Sequence, residues 1–246
     1  MPLTTGVVRL AALGDIHVGR MGTGTLANLF AQVSERADVL AMCGDLTDYG
    51  LQEEARVLAR EIATSLRVPC IAVLGNHDYE AGKSDEIRQI LVDSGVVVLD
   101  GDATEVHGVG FAGVKGFCGG FGRGALGPWG EDIVKLFVRE AVNEAFKLES
   151  ALARLRTPHR VALLHYSPVR ATVEGEPLEI FPYLGCSRLE EPLARYPVSA
   201  VIHGHAHNGA LEGRTASGTP VYNVAIPLLR KCWPEQAPFR VIEIGA

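Results

Sequence analysis

The sequence predicts an α/β protein, and two observations carry that expectation. Short apolar runs, each closed by a glycine and a polar residue, alternate with stretches whose apolar residues recur at helical spacing. Such alternation marks βαβ units on a parallel sheet. Beyond residue 95 the rhythm changes to short strands with no helix between them. No internal repeat, low-complexity tract or linker interrupts the chain. Residues 1–246 therefore read as a single domain with a glycine-rich loop insertion at about 113–130.

The elements follow in order. Val7-Val8-Arg9-Leu10-Ala11-Ala12-Leu13 is a buried-strand run ending at Gly14-Asp15. Leu26, Leu29, Phe30, Val33 and Ala37 share a helix face. Residues 38–43 give a second strand ending at Gly44-Asp45, and Leu51, Ala55, Leu58, Ile62 and Leu66 a second helix face. Residues 70–74 run into Gly75-Asn76 as a third strand, and 83–94 read as a helix. Short strands are expected at 96–99, 105–107 and 109–112. Eight of the 28 glycines then fall within residues 113–130, the mark of a loop. A long helix is expected over 131–154, with Ile133, Phe137, Val138, Ala141, Val142, Ala145 and Phe146 on its apolar side. Strands close the chain at 161–165, 200–203, 220–225 and 240–244.

Composition narrows the class. Hydrophobic residues at 47% and charged residues at 21% place the chain among globular proteins, and no apolar run is long enough to span a bilayer. The net charge of −6 speaks against nucleic acid as a partner, because such binding rests on phosphate neutralisation. Cys43, Cys70, Cys118, Cys186 and Cys232 are odd in number, scattered and without a CxxC pair, so neither a disulfide framework nor a thiolate zinc site is expected. The opening residues lack the pattern of a signal peptide. A cytoplasmic protein that contacts no membrane is the expectation.

The chemistry gathers at strand ends. Three predicted strands end in Gly14-Asp15-Ile16-His17, Gly44-Asp45-Leu46-Thr47-Asp48 and Gly75-Asn76-His77-Asp78. Two later strands end in Leu163-Leu164-His165 and Ile202-His203-Gly204-His205-Ala206-His207. Ligands of open α/β sheets bind outside the carboxyl ends of the strands, so these residues would converge on one edge. Carboxylate, amide and imidazole donors suit manganese, iron or zinc, and their number exceeds one tetrahedral site, so two adjacent ions are expected. Taken singly, each motif has an ordinary explanation. Asp-x-His is commonly a turn with a surface histidine, Gly-Asp a helix start, and Gly-Asn-His-Asp a β-turn. All five in this order, each behind a strand, are not accounted for that way.

Together these motifs resemble the calcineurin-like metallophosphoesterase superfamily in its bacterial phosphodiesterase-like branch, over Asp15 to His207. The resemblance implies a four-layer α/β/β/α sandwich of two mixed sheets flanked by helices, with a dinuclear metal centre that activates a bridging water. It implies Asp15, His17 and His207 on one ion, Asn76, His165 and His205 on the other, and Asp45 bridging both. His77 matches the general acid and Asp48 the carboxylate that orients it, while Asn76 and His77 also face substrate. His203 has no ligand role in the pattern, His107 and His159 lie outside every motif, and Asp78 ties down its turn. Where protein phosphatases of the superfamily carry an arginine after the aspartate matching Asp48, this chain has Tyr49-Gly50. Where the phosphodiesterase branch often reads His-His-Pro-Pro, this chain reads His165-Tyr166-Ser167-Pro168.

The expected activity is metal-dependent hydrolysis of a phosphodiester on a small or nucleotide-type molecule. Phosphomonoesterase, nuclease and a non-catalytic metal-binding scaffold are the alternatives. Arg170 is a candidate contact to a substrate phosphate. Phe117, Phe121, Arg123 and Trp129 make the loop at 113–130 a candidate lid over the site.

Overall fold

The computed structural model describes residues 6–20 and 24–245. Its first half is a repeating βαβ run: β1 (Val8–Leu13), α1 (Thr25–Arg36), β2 (Val39–Cys43), α2 (Gln52–Ser65), β3 (Cys70–Val73), α3 (Ser84–Asp93) and β4 (Val97–Val98). Then come β5 (Asp102–Val106), β6 (Val109–Gly113), the long α4 (Asp132–Arg154) and β7 (His159–Leu163). Two short helices, α5 (Phe181–Leu184) and α6 (Glu190–Arg195), precede β8 (Ala200–His203), β9 (Glu212–Arg214), β10 (Pro220–Asn223), α7 (Ile226–Cys232) and β11 (Arg240–Ile244).

The strands form two mixed sheets. One has the order β11-β1-β2-β3-β4, parallel except for β11, and the other the order β5-β6-β7-β8-β10-β9, parallel except at its two edges. The period-2 alternation of a strand sends its side chains to opposite faces, and here both faces are buried. Leu10, Ala12, Val39, Ala41, Ile71 and Val73 point from the first sheet toward Phe111, Val161, Leu163, Ala200 and Ile202 of the second. Their neighbours Ala11, Leu13, Leu40, Met42 and Ala72 face α1–α3 through Leu29, Phe30, Leu58 and Leu91. On the far side, Ala162, Leu164, Val201 and Val221 meet Leu148, Leu152 and Leu193 of α4 and α6. The result is the expected α/β/β/α sandwich of two mixed sheets.

Several local expectations need correction. Ile133 and Phe146 do not face the core; they are exposed. The buried stripe of α4 runs through Val138, Ala141, Glu144, Ala145, Leu148, Ala151 and Leu152; at 100° per residue Phe146 falls well outside it, whereas Ile133 shares its direction but stands in the first turn, ahead of the first buried position. Glu144 is buried instead, accepting the Gly116 N–H and the Lys147 ammonium, which pins the loop after β6 to the helix. His107 is no strand residue. With Gly108 it forms a two-residue hairpin turn between paired Val106 and Val109, both turn residues having positive φ (51° and 81°). Strand β9 and the short helices α5–α7 lack a long apolar period, so the sequence pattern does not mark them.

Both parallel runs deliver their carboxyl ends to the same edge. The sheets meet there directly: Gly14 N–H donates to the Val224 carbonyl at 2.9 Å, and Ile226 N–H, just past β10, to the Gly14 carbonyl at 3.0 Å.

Candidate metal centre

Each candidate residue stands two to five positions beyond a strand end. Asp15 and His17 follow β1, Asp45 and Asp48 follow β2, Asn76 and His77 follow β3, His165 follows β7, and His205 and His207 follow β8. Among the described residues only five non-glycine positions have positive φ, and four of them are Asp15 (58°), His17 (46°), Asp45 (49°) and His205 (70°). A left-handed conformation costs an L-residue roughly 1–2 kcal/mol, so four at one site are held by their surroundings. Main-chain bonds across the sheet ends supply the hold: Asp15 N–H to the Gly44 carbonyl (2.9 Å) and His17 N–H to the Asp45 carbonyl (3.0 Å). Glycine completes the cradle. A Cβ on Gly75 would collide with the Asp45 carboxylate, and one on Gly204 with the Asp15 carboxylate.

The side chains gather in three overlapping groups: Asp15, His17 and His207; His17, Asp45 and His77; Asp45, His165 and His205. Within each, the potential ligand atoms all lie within 4.8 Å of one another. Asn76 joins the third group, its Oδ1 standing 2.9 Å from His165 Nε2, while Asp45 Oδ1 lies 3.3 Å from that same nitrogen. His207 Nε2 is 2.9 Å from Asp15 Oδ1. The seven residues expected to ligate are thus brought into one continuous cluster.

Hydrogen bonds fix which ring nitrogens face the cluster. His165 Nδ1–H donates to the Cys43 carbonyl at 2.9 Å, and burial followed by the charge of His205 lowers its pKa well below the usual histidine value. The neutral ring therefore presents a lone pair from Nε2 to two oxygen acceptors, Asn76 Oδ1 and Asp45 Oδ1. Three acceptors converging on one point call for a cation, so the donor set fits a metal ion. His205 Nε2–H donates to the Tyr183 carbonyl at 3.1 Å, which leaves Nδ1 for the cluster. Burial lowers the His205 pKa as well. For Asp15, burial alone would raise the pKa, but the His207 hydrogen bond, the charges of His165 and His207 and the His205 N–H outweigh it and hold the carboxyl down at about 2. An ionised carboxylate and a neutral imidazole are the forms that bind metals.

His77 sits at the mouth, its ring edge-on to His17 with centroids 4.6 Å apart. Its Nδ1–H donates to the main-chain carbonyl of Asp48 at 2.6 Å, which turns Nε2 inward, 4.0 Å from Asp45 Oδ2. The carboxylate of Asp48 stands 3.8 Å from His77 Nδ1 but only 3.1 Å from His17 Nδ1. The Asp48 contact to His77 is thus mainly main-chain, and the Asp48 side chain faces His17.

Asp78 is fully buried and accepts four hydrogen bonds: from Thr47 N–H (2.8 Å), Thr47 Oγ1–H (2.7 Å), Gly75 N–H (2.8 Å) and Leu46 N–H (3.2 Å). It ties the loop carrying Asp45 to the loop carrying Asn76 and His77. Burial pushes its carboxyl pKa up despite those bonds. His203 stays outside the cluster; it is buried between Thr172 Oγ1 (2.7 Å) and the Gly204 carbonyl (2.8 Å). Arg170 belongs to none of the three groups. It is exposed, 3.6 Å from Glu174 and stacked over Phe181.

The loop at 113–130 is stitched down. Gly119 N–H donates to the Pro182 carbonyl (2.7 Å), Gly120 N–H to the Gly185 carbonyl (2.9 Å) and Ser187 N–H to the Gly120 carbonyl (3.1 Å). Phe117 turns inward against Phe137 and Tyr166, whereas Trp129 is exposed. Sequence reasoning missed two neighbours of the cluster. Tyr183 acts through its main chain, which no residue type announces. Lys115 sits beneath the site with its ammonium near the rings of Tyr79, Phe117 and Tyr166, and its carbonyl accepts the His165 and Tyr166 N–H groups.

Comparison with known proteins agrees with this geometry. Two bacterial proteins named UDP-2,3-diacylglucosamine hydrolase are 22% identical to the chain. The one from Klebsiella pneumoniae aligns over 78% of this chain and 78% of its own length, and the one from Salmonella arizonae over 87% and 88%. The crystal structure of phosphopantetheinyl hydrolase from Mycobacterium tuberculosis superposes with a TM-score of 0.66 at 16% identity, covering 95% of each chain, and so shares the fold. Among the described residues no helix is long and apolar enough to cross a membrane. The sequence profile described as calcineurin-like phosphoesterase matches residues 8–209, a span that contains every candidate ligand, and the chain belongs to that family of metal-dependent phosphoesterases.

Proposed function

We propose that the protein hydrolyses phosphodiesters with the help of two metal ions, manganese, iron or zinc. The observation that carries this reading is the cluster itself: seven oxygen and nitrogen donors in overlapping groups, four of them on left-handed backbone. Asp15, His17 and His207 would hold one ion, Asn76, His165 and His205 the other, with Asp45 shared between them. Bound there, such ions supply Lewis-acid charge to the phosphoryl oxygens and make a nearby water acidic enough to act as nucleophile.

The chain's own residues do the rest. The Asp48 carbonyl holds His77 Nδ1–H, so His77 offers Nε2–H, when protonated, to the leaving oxygen of the ester. The Asp48 carboxylate steadies His17 at Nδ1. Asp78 keeps the two loops in register without touching substrate. Asn76 and His77 lie where substrate oxygens would pass. A diester is favoured over a monoester because the extra charge of a monoester asks for a clamp such as arginine. The position after Asp48 is Tyr49, and Arg170 is engaged with Glu174 and Phe181. Free cysteines, four of the five buried, support a reducing compartment such as the cytoplasm.

Turnover of bis(p-nitrophenyl) phosphate and p-nitrophenyl phosphate by manganese-loaded protein tests the reading. The diester should be the better substrate. A clear monoester preference would make the protein a phosphatase, and loss of neither activity on chelation would remove the metals.

A further inference from the structure

Lys115 carries a charge that the proposed chemistry does not use. It lies just past β6, and its ammonium donates to the Gly116 carbonyl at 2.7 Å. An ammonium has three N–H donors, so two are left over. Among the described residues Lys115 forms no ion pair. The buried Glu144 of α4 is taken up by the Gly116 N–H (2.8 Å) and the Lys147 ammonium (2.7 Å). Three aromatic rings surround the Lys115 ammonium instead, with centroids 4.9 Å (Phe117), 5.4 Å (Tyr166) and 5.5 Å (Tyr79) away. Ring faces attract a cation without neutralising it. A part-buried charge with two open donors and no counter-ion is a place for an anion.

This cage is built from the same segments as the metal centre. Tyr79 ends the single turn His77–Tyr79 that carries the candidate proton donor. Tyr166 follows His165 directly, and its ring lies 5.3 Å from the His165 ring and 4.6 Å from the His205 ring. The Lys115 carbonyl accepts the His165 N–H (3.0 Å) and the Tyr166 N–H (3.1 Å), which fixes the lysine's main chain to the ligand loop. Tyr79 is 38% exposed and Lys115 is only part-buried, so a solute can reach the ammonium. Tyr166 is also a position where this chain departs from the His-His-Pro-Pro of the phosphodiesterase branch.

We propose that Lys115 and its aromatic cage form an anion subsite of the metal centre, and that this subsite takes a carboxylate borne by the leaving group of the phosphoester. The inference rests on the phosphodiesterase reading and narrows it to diesters of a carboxylate-bearing alcohol or phenol. The leaving-group side follows from His77, whose own turn supplies Tyr79 to the cage. One cation with two open N–H groups matches the single charge and two oxygens of a carboxylate. A phosphate dianion asks for a second cation, and the cations around Lys115 are already engaged: Lys147 with Glu144 and Asp100, Arg88 with Asp102.

The test is calorimetric titration of manganese-loaded protein with 3-phosphonopropionate and 4-phosphonobutyrate, set against propylphosphonate and butylphosphonate of equal chain length. None of these can be hydrolysed at its P–C bond by this chemistry. A charge-assisted hydrogen bond should give the carboxylate of better-fitting length about a tenfold gain in affinity over its alkyl match. Lys115→Met should remove that gain, and Lys115→Arg should keep most of it. Acetylation of Lys115 by acetic anhydride, followed by mass spectrometry, reads the same subsite without a variant: the phosphonocarboxylate should protect Lys115 and the alkylphosphonate should not. Equal binding of acid and alkyl ligands at both lengths would overturn the inference, as would a gain that survives Lys115→Met or a Lys115 that acetic anhydride never reaches. A larger gain from propane-1,3-diylbisphosphonate than from either carboxylate would overturn the carboxylate assignment. Carboxylate preference in a protein that turns over no diester would keep the subsite and remove the hydrolase reading, and diester turnover without that preference would do the reverse.

Discussion

Replacing Asp78 by alanine should unfold the protein more readily than any change at the metal ligands. The side chain is fully buried, and its loss leaves the Leu46, Thr47 and Gly75 N–H groups without their acceptor. A buried donor left unsatisfied costs about 1–3 kcal/mol. Three such donors, less the gain from no longer burying a carboxylate whose pKa is raised, come to about 3–5 kcal/mol. The Thr47 hydroxyl can rotate and adds little. Asp78→Asn keeps one acceptor, leaves the donors on the other side facing an amide NH₂, and should cost about half as much. For a chain of this length the alanine variant should melt about 10 °C or more below wild type. Urea unfolding in chelator is the assay, so that metal binding does not mask the loss. An alanine variant within 1 kcal/mol of wild type would refute the tie between the two loops.

Four further outcomes are expected. His77→Ala should keep both metals by elemental analysis yet lose about two to four orders of magnitude in turnover; wild-type turnover would remove His77 from proton transfer. Chelation should lower the melting temperature in a way that added manganese reverses with concentration, because ligand binding stabilises only the folded form. His203 is buried neutral, with a pKa pushed by burial from 6.5 to about 4. Its unfolded form binds the proton first, so its share of the stability, about 3 kcal/mol, should be lost as pH drops from about 6.5 to about 4 in chelated protein. His203→Gln should make the fall shallower by that share, His165 and His205 supplying the rest. His107→Gly at the β5–β6 turn relieves a left-handed histidine and should be stabilising by about 0.5–1 kcal/mol in thermal melts.

The central parallel strands were legible because they are buried on both faces, which leaves continuous apolar runs such as Val39-Leu40-Ala41-Met42-Cys43. The candidate ligands were legible for a related reason. They stand within four residues of the ends of those runs, and the carboxyl ends of parallel strands share an edge. Two kinds of feature escaped. On α4, apolar residues lie all round the exposed first turns, so periodicity alone could not separate the core stripe at Val138 and Ala141 from Ile133, which is exposed. The Tyr183 carbonyl, the Asp48 carbonyl and the buried Glu144 act through main chain or through loop packing. Neither leaves a trace in residue type or spacing.

Titration of manganese into chelator-stripped protein tests the central claim most directly. The account predicts two equivalents per chain for wild type, and fewer for Asp45→Asn, which removes charge from the carboxylate shared by two of the three groups. Saturation at two equivalents should coincide with the rise of diesterase activity. No saturable binding, or Asp45→Asn still holding two equivalents with wild-type affinity, would contradict it.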